Sequence, residues 1–431
     1  MKKVLKQFLL SIITVGLSVV IGIVCLVLVY MIPMQNIHRH VKESSAIFER
    51  EGESPKIWYF YATVLDNYTD AIMILEADNS NGEALTESAL INYWNRTITD
   101  GKLDNPGPSL VNMSNFPDEY SITNGNVSIS EYSRYWHGYL VILKLLLYAF
   151  NYGTIRIINL VIQLLIEVYI VWKFVKNRYK YTALGYALSM LLLCPLTCGF
   201  SLQYSSCLYI LNIGILLIIK KYERNKESFS CTECTLIFTI LGILTSYFDF
   251  LTYPITTLCI PLTTAIIFSM DEGPFKSQFA TFVKMGVFWV IGYLGMWTGK
   301  WCAASMLTDR NVLAEAINSV LYRTAGGEGT AIMAIVRNVG VFLINPVSLF
   351  TILIWCLFYY KLVFSHGFKI MAPAKCKILL IIALMPLAWY IVATNHSYVH
   401  FWFTFRNMII CVIAGFAAYD GLILQEKGHE K

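Results

Sequence analysis

Residues 131–159 read EYSRYWHGYLVILKLLLYAFNYGTIRIIN, and they set Glu131, Arg134, Trp136, His137, Lys144 and Arg156 between a long polar stretch and a long apolar one. The apolar run after Tyr139 is interrupted by Lys144 and is too short to cross a bilayer, whose ~30 Å hydrocarbon core takes roughly 20 helical residues. Such a segment lies along the interface or re-enters, with Tyr132, Tyr135, Trp136 and Tyr139 anchoring it at headgroup depth. A plain anchor needs neither His137 beside Trp136 nor a lysine inside the run. These extra polar groups favour a phosphate or sugar site.

Outward from this stretch the chain is strongly apolar: 56% of its 431 residues are hydrophobic and only 14% charged, with a mean hydropathy of +0.56. A water-soluble fold of this length does not have that composition, so the expected class is all-α, a polytopic bundle of transmembrane helices. Apolar stretches near 8–32, 155–175, 181–199, 202–219, 235–250, 252–269, 281–302, 338–362, 377–394 and 401–420 suggest about ten spans. The expected organisation is a tail and first anchor over 1–32, an extracytoplasmic loop with interfacial helices over 33–153, and the helix bundle over 154–431. The first span is too long for a signal-peptide core and has no small-residue cleavage site before Pro33, so it reads as a retained anchor.

Basic loop residues resist translocation. Lys2, Lys3 and Lys6, then Lys173, Lys176, Arg178 and Lys180, then Lys220, Lys221, Arg224 and Lys226, then Lys369, Lys375 and Lys377 all fall on one side of a ten-span bundle. Both termini are therefore expected in the cytoplasm and the 33–137 loop on the outer side of the membrane. That loop holds 15 Asp and Glu against 7 Lys and Arg, so the net charge of +5 arises on the inner face and does not point to nucleic acid.

None of the 11 cysteines lies in the 33–137 loop, and no disulfide framework is implied. Cys231 and Cys234 form an isolated C-x-x-C, whereas a zinc site takes about four ligands. No phosphate-binding loop, dinucleotide fingerprint or H-E-x-x-H motif is present, which removes nucleotide-driven pumps, dinucleotide enzymes and common zinc proteases. The glycine-rich 326–329 segment reads as a flexible turn.

Asp66 and Asp70 are four residues apart, a spacing that puts two carboxylates on one helix face. They read either as helix-start residues favoured by the macrodipole or as a general base or metal carboxylate near the membrane surface. On the expected outer side, Lys300, Arg310, Arg323, Arg337 and Arg406 sit near span ends, with Asp309, Glu315 and Glu328 only partly balancing them. Cations held against the sorting rule suggest an anionic ligand, here a lipid phosphate. Asp249, at the end of an apolar run, is expected to face a polar cavity. His396 and His400 have helical ligand spacing, yet no metal trio accompanies them, so phosphate or hydroxyl hydrogen bonding is the preferred reading and no metal site is assigned.

With one anchor, a long outer loop bearing early aspartates, an aromatic-basic segment and then a helix bundle, the chain resembles the GT-C superfamily of integral membrane glycosyltransferases. The strings RYWHGY at 134–139, FDFLTYP at 248–254 and NHSYVHFWFTFR at 395–406 are similar to those of bacterial multi-span proteins of that general shape. The resemblance implies a polyprenyl-phosphate-sugar donor and a cell-envelope glycan or lipid acceptor among the membrane lipids. It also implies an acidic base in the first outer loop, which would be Asp70 or Asp66. Many members carry an adjacent acidic pair there, whereas these two are four apart. Inverting transfer needs such a base, cations for the departing phosphate, and a groove for the lipid. Candidates for the second role and for substrate binding are Arg134, His137, Asp249, Lys300, Arg337, His396, His400 and Arg406. A divalent cation shared by Asp and phosphate is compatible with this chemistry but not required.

Two other classes compete. A transporter or flippase of a lipid-linked or anionic envelope precursor would use in-membrane polar residues such as Lys144, Arg156, Glu167 and Asp249, with repeats and broken helices near the midplane. An O-acyltransferase would want a histidine deep in a span.

Overall fold

The computed structural model describes residues 2–79, 81–325, 327, 329–366 and 373–429. Lys369, Gly326 and Glu328 lie outside the described residues. The chain forms a membrane-embedded, all-α bundle. Among the described residues, six helices are long and apolar enough to cross a bilayer: Lys2–Tyr30, Tyr152–Lys176, Leu202–Arg224, Phe275–Leu307, Ala374–Val392 and Phe401–Leu422. A seventh crossing is available if Ala331–Ile344 and Pro346–Lys361, which meet at 84°, are one broken span.

The difference from about ten spans has a geometric cause. Thr235–Phe248 has 14 residues and Thr256–Phe268 has 13. At ~1.5 Å per residue each reaches only ~20 Å, short of the ~30 Å hydrocarbon layer. Every residue of Thr256–Phe268 is buried. It is apolar all round because protein, not lipid, surrounds it, and hydropathy alone does not separate those two cases. The expected 181–199 span is likewise broken at Cys194 and Pro195 into Lys180–Leu193 and Pro195–Phe200.

Between the first two long helices, the chain folds into a polar cap on one end of the bundle. It contains Met34–Glu51, Asn67–Ala77, Leu85–Ile91, Pro106–Asn115 and Leu140–Ala149. It also contains a three-stranded antiparallel sheet of order β2-β1-β3, with β1 Tyr93–Thr99, β2 Lys102–Leu103 and β3 Val127–Glu131. The sheet was not expected from the sequence. Its outer strands are two and five residues long, and β3 has only two hydrophobic residues.

The 132–139 segment is not an interfacial anchor. Tyr135, Trp136, His137 and Tyr139 are buried, and the helix begins only at Leu140. Trp136 Nε1 donates to the Met296 carbonyl at 2.8 Å, which ties the cap to the Phe275–Leu307 helix. His137 is left-handed (φ 55), and Gly138 lies so close to Tyr247 that a Cβ would meet its ring at 2.3 Å. The aromatics pack against helices rather than lipid because this turn drives them inward.

The opposite end of the bundle gathers basic side chains. Lys3 and Lys221 both reach Glu233, Lys173 pairs with Glu223 at 2.6 Å, and Lys284 donates to the Thr232 carbonyl.

Candidate functional site

A cavity of about 560 Å³ opens at the cap end, lined by Arg134, Glu315, Arg323, His396 and His400 together with Asn318, Ser319, Tyr322, Asn395 and Val399. Three separate pieces of chain build it. Arg134 lies on the turn after β3, where its backbone carbonyl accepts from Trp301 Nε1 at 2.9 Å. Glu315, Ser319, Tyr322 and Arg323 recur at helical spacing on Val312–Ala325, a helix anchored by buried Val312 and Ala316. The short helix Thr394–Val399 supplies His396 and Asn395, and Asn395 Nδ2 donates to the Tyr322 carbonyl at 3.2 Å. Beside it Gly327 is pressed close: a Cβ there would meet Asn395 at 1.7 Å.

The cavity carries excess positive charge. Arg134 Nη1 donates to Glu315 at 3.2 Å, while its Nε is buried without a partner. Glu315 also accepts from the Ser133 hydroxyl at 2.6 Å. Arg323 has no carboxylate partner among the described residues and donates instead to His396 Nδ1 at 3.0 Å. A guanidinium only donates, so His396 Nδ1 accepts and its Nε2–H donates to the Leu251 carbonyl at 2.7 Å. His396 is therefore the neutral Nε2–H tautomer, and burial together with His400 and Arg323 pushes its pKa well below the usual range. Burial and Arg323 push His400 down to about 4, and its Nδ1 has no partner. Two guanidiniums thus face one carboxylate, and both histidines are neutral hydrogen-bonding groups at pH 7.

No protein-family model, no curated protein and no solved structure matches this chain.

Other residues singled out from the sequence lie outside this cavity. Asp70 is completely buried. Its carboxylate accepts from Leu202 N at 2.8 Å and Gln203 N at 3.0 Å, the first turn of Leu202–Arg224, and from Tyr152 Oη at 2.5 Å. It holds a neighbouring helix by its N-terminus and does not line the cavity. His137 is enclosed by Glu76, Tyr139 and the Tyr132 carbonyl. Lys300 donates to the Leu90 carbonyl at 2.5 Å, and Asp249 caps its own turn through Thr252. Arg337 grips Tyr398 outside the cavity.

Asp66 and Arg406 are both buried, away from the cavity lining. Asp66 caps its own helix through Thr69 N at 3.0 Å, and the Trp402 indole and the charge of Arg406 act on its carboxyl. Arg406 is fully buried and stacks 3.7 Å from the Tyr204 ring centroid, with Nε and Nη2 unpartnered. Trp402 in turn lies edge-on to His400, with centroids 5.1 Å apart, so these two residues back the cavity wall without lining it. Among the described residues, no three His, Cys, Asp or Glu side chains group as a metal site.

Asp70 has a measurable signature. Burial pushes its carboxyl up to about 6 from 3.8, against the lowering effect of Tyr152 and Arg156. A raised acid pKa means the native state holds the proton more tightly than the unfolded chain. This contribution to stability is full below pH 3.8 and is lost as pH rises through about 6. Asp70→Asn should therefore remove a decline in unfolding free energy of up to a few kcal/mol across that window. At acid pH it should also lower stability by roughly 1–3 kcal/mol, because the amide nitrogen does not accept from the Leu202 or Gln203 N–H. Thermal unfolding of both proteins in detergent at several pH values measures both effects.

Proposed function

We infer that the chain is a membrane glycosyltransferase whose cap-end cavity holds the phosphate of a polyprenyl-phosphate sugar and an envelope glycan or lipid acceptor. One observation carries this reading: Arg134 and Arg323, 189 residues apart in sequence, meet in a single cavity balanced by one carboxylate. Guanidiniums offer planar, multiple N–H donors suited to phosphate oxygens, and neutral His400 with Asn318, Ser319 and Asn395 offers partners for sugar hydroxyls. The gathering of lysines at the opposite end supports a cytoplasmic placement of that end, with the cavity outside.

In this reading Arg134 and Arg323 stabilise the departing lipid phosphate, and Glu315 takes the proton from the acceptor hydroxyl. Glu315 takes that role because it is the carboxylate on the cavity wall. A base must come within hydrogen-bond reach of the proton it removes, whereas Asp70 has both oxygens occupied and Asp66 lies behind Trp402.

The test is direct. Purified protein in liposomes, given a panel of polyprenyl-phosphate sugars with envelope glycan or lipid acceptors, is expected to release polyprenyl phosphate and elongate an acceptor. The 84° break between Ala331–Ile344 and Pro346–Lys361 favours a second reading, in which the same cations receive a lipid-linked anion for transport across the bilayer. Movement of the intact lipid-linked sugar between leaflets, with no product formed, would select it.

The neutral histidines set the pH profile. An anion bound beside His400 favours the imidazolium, so affinity should be flat near neutral pH and rise only as pH falls toward 4. Titrating a soluble phosphorylated analogue from pH 8 to pH 4.5 measures this, and a steep gain already complete by pH 6.5 would contradict it.

A further inference from the structure

The Tyr152–Lys176 helix is inverted for a membrane span. Its lipid-facing side is Ile157, Val161, Leu165, Val168 and Trp172, all exposed, whereas its buried side carries Arg156, Asn159, Gln163 and Glu167 at successive turns. The first three are held. Arg156 donates to Glu51 at 2.8 Å and to Asn67 at 2.6 Å. Asn159 Nδ2 donates to the Gly199 carbonyl at 2.8 Å and to Ser205 Oγ at 2.7 Å, while its Oδ1 accepts from Tyr209 Oη. Gln163 Nε2 donates to Asn159 Oδ1, the Cys198 carbonyl and Ser205 Oγ. Glu167, only 8% exposed, has no hydrogen-bond or ion-pair partner among the described residues.

We propose that Glu167 is a proton-binding site inside the membrane, its carboxyl protonated and donating to Gln163 Oε1 at the end of the polar row that starts at Arg156. Gln163 is 2% exposed, and its Oε1 is buried with no donor. The amide cannot be turned round to cure this, because the Cys198 carbonyl only accepts and so fixes Nε2 on its side. Glu167 follows Gln163 by four residues on the same face, within side-chain reach. An ionised Glu167 would bring only acceptors to an orphan acceptor and would leave a carboxylate without a cation in the bilayer. One proton satisfies both groups. The titratable groups near enough to feel Glu167 are Tyr186, Cys198 and Tyr209, from three different helices. None is cationic. Of the cations of its own helix, Arg156 and Lys173 are neutralised by Glu51 and Glu223, and Lys176 ends the last turn over the Trp172 ring.

The site is read by infrared difference spectroscopy on the full chain in lipid bilayers at neutral pH, wild type minus Glu167→Gln. The expected difference is a carboxylic-acid C=O band that shifts in D2O. In the Gln163→Leu protein the band is expected at higher frequency, as for an acid that has lost its acceptor. A carboxylate band pair in place of the acid band would overturn the proposal, and so would an acid band unmoved by Gln163→Leu. Because Glu167→Gln keeps the side chain's size and can still donate to Gln163, it is expected to fold. The dicyclohexylcarbodiimide adduct supplies an independent readout, since this apolar reagent adds a protonated carboxyl across its C=N bond. Mass spectrometry is expected to find the adduct on Glu167 in wild type, and a wild-type Glu167 that stays unmodified would count against the proposal.

Discussion

Arg323→Ala is expected to lower release of polyprenyl phosphate by roughly 10²- to 10³-fold, the usual loss when one preorganised donor to a developing anion is removed. Arg323 has no carboxylate partner to release and sits half-exposed on the cavity-lining helix, so its removal should leave folding intact. Arg134→Ala should weaken catalysis similarly, but it also strips Glu315 of its ion pair and the Tyr132 ring of a cation 4.6 Å from its centroid. A modest loss of stability is expected with it. Steady-state kinetics with unfolding curves separate the two cases, and an Arg323→Ala protein of wild-type turnover would remove the proposed phosphate role from that residue.

Glu315→Gln carries the other large effect. In the proposed transfer Glu315 is the general base, so its loss should reduce turnover by roughly 10²- to 10⁴-fold while leaving donor binding nearly unchanged, because the amide oxygen still accepts from Ser133 and Arg134. Its side chain is 44% exposed, so the structural cost of the swap is that of a surface ion pair, about 0–1 kcal/mol. Asp66→Asn is the matched control for a base behind the cavity wall: if it, and not Glu315→Gln, abolishes turnover, the base lies with Asp66.

The pattern of helices was legible where hydrophobic length exceeded what a buried helix needs. Lys2–Tyr30, Tyr152–Lys176, Leu202–Arg224 and Phe275–Leu307 fall where apolar length placed spans. Thr235–Phe248 and Thr256–Phe268 did not differ in composition from true spans, and only their length in the folded chain distinguishes them. The cap sheet left little trace, since β2 is two residues long and β3 reads VSISE.

The site was legible in part. The sequence suggested that Asp66 or Asp70, His137, Arg134 and the His396–Arg406 strip would converge on one cavity; Arg134, His396 and His400 line it together, whereas Asp66, Asp70, His137 and Arg406 do not. Glu315 and Arg323 were visible only as charges near span ends, because nothing in one dimension showed that Val312–Ala325 folds back over Arg134. Asp70, His137, Lys144 and Lys300 looked functional because polar side chains beside apolar runs lacked visible partners. Each partner lies far along the chain: Tyr152 and Leu202 N for Asp70, Glu76 for His137, the Ala77 carbonyl for Lys144 and the Leu90 carbonyl for Lys300. Long-range satisfaction of buried polar groups is what folding supplies, and a lone chain does not display it.

Native mass spectrometry of the protein with polyprenyl phosphate tests most directly whether the Arg134–Arg323 cavity holds a lipid phosphate. Wild type is expected to retain the phosphorylated lipid and to discriminate against the uncharged polyprenol, and the Arg134→Ala/Arg323→Ala protein is expected to lose at least roughly 10-fold in affinity, about 1.4 kcal/mol. Equal retention of polyprenyl phosphate and polyprenol by wild type, or undiminished binding by the double variant, would contradict it.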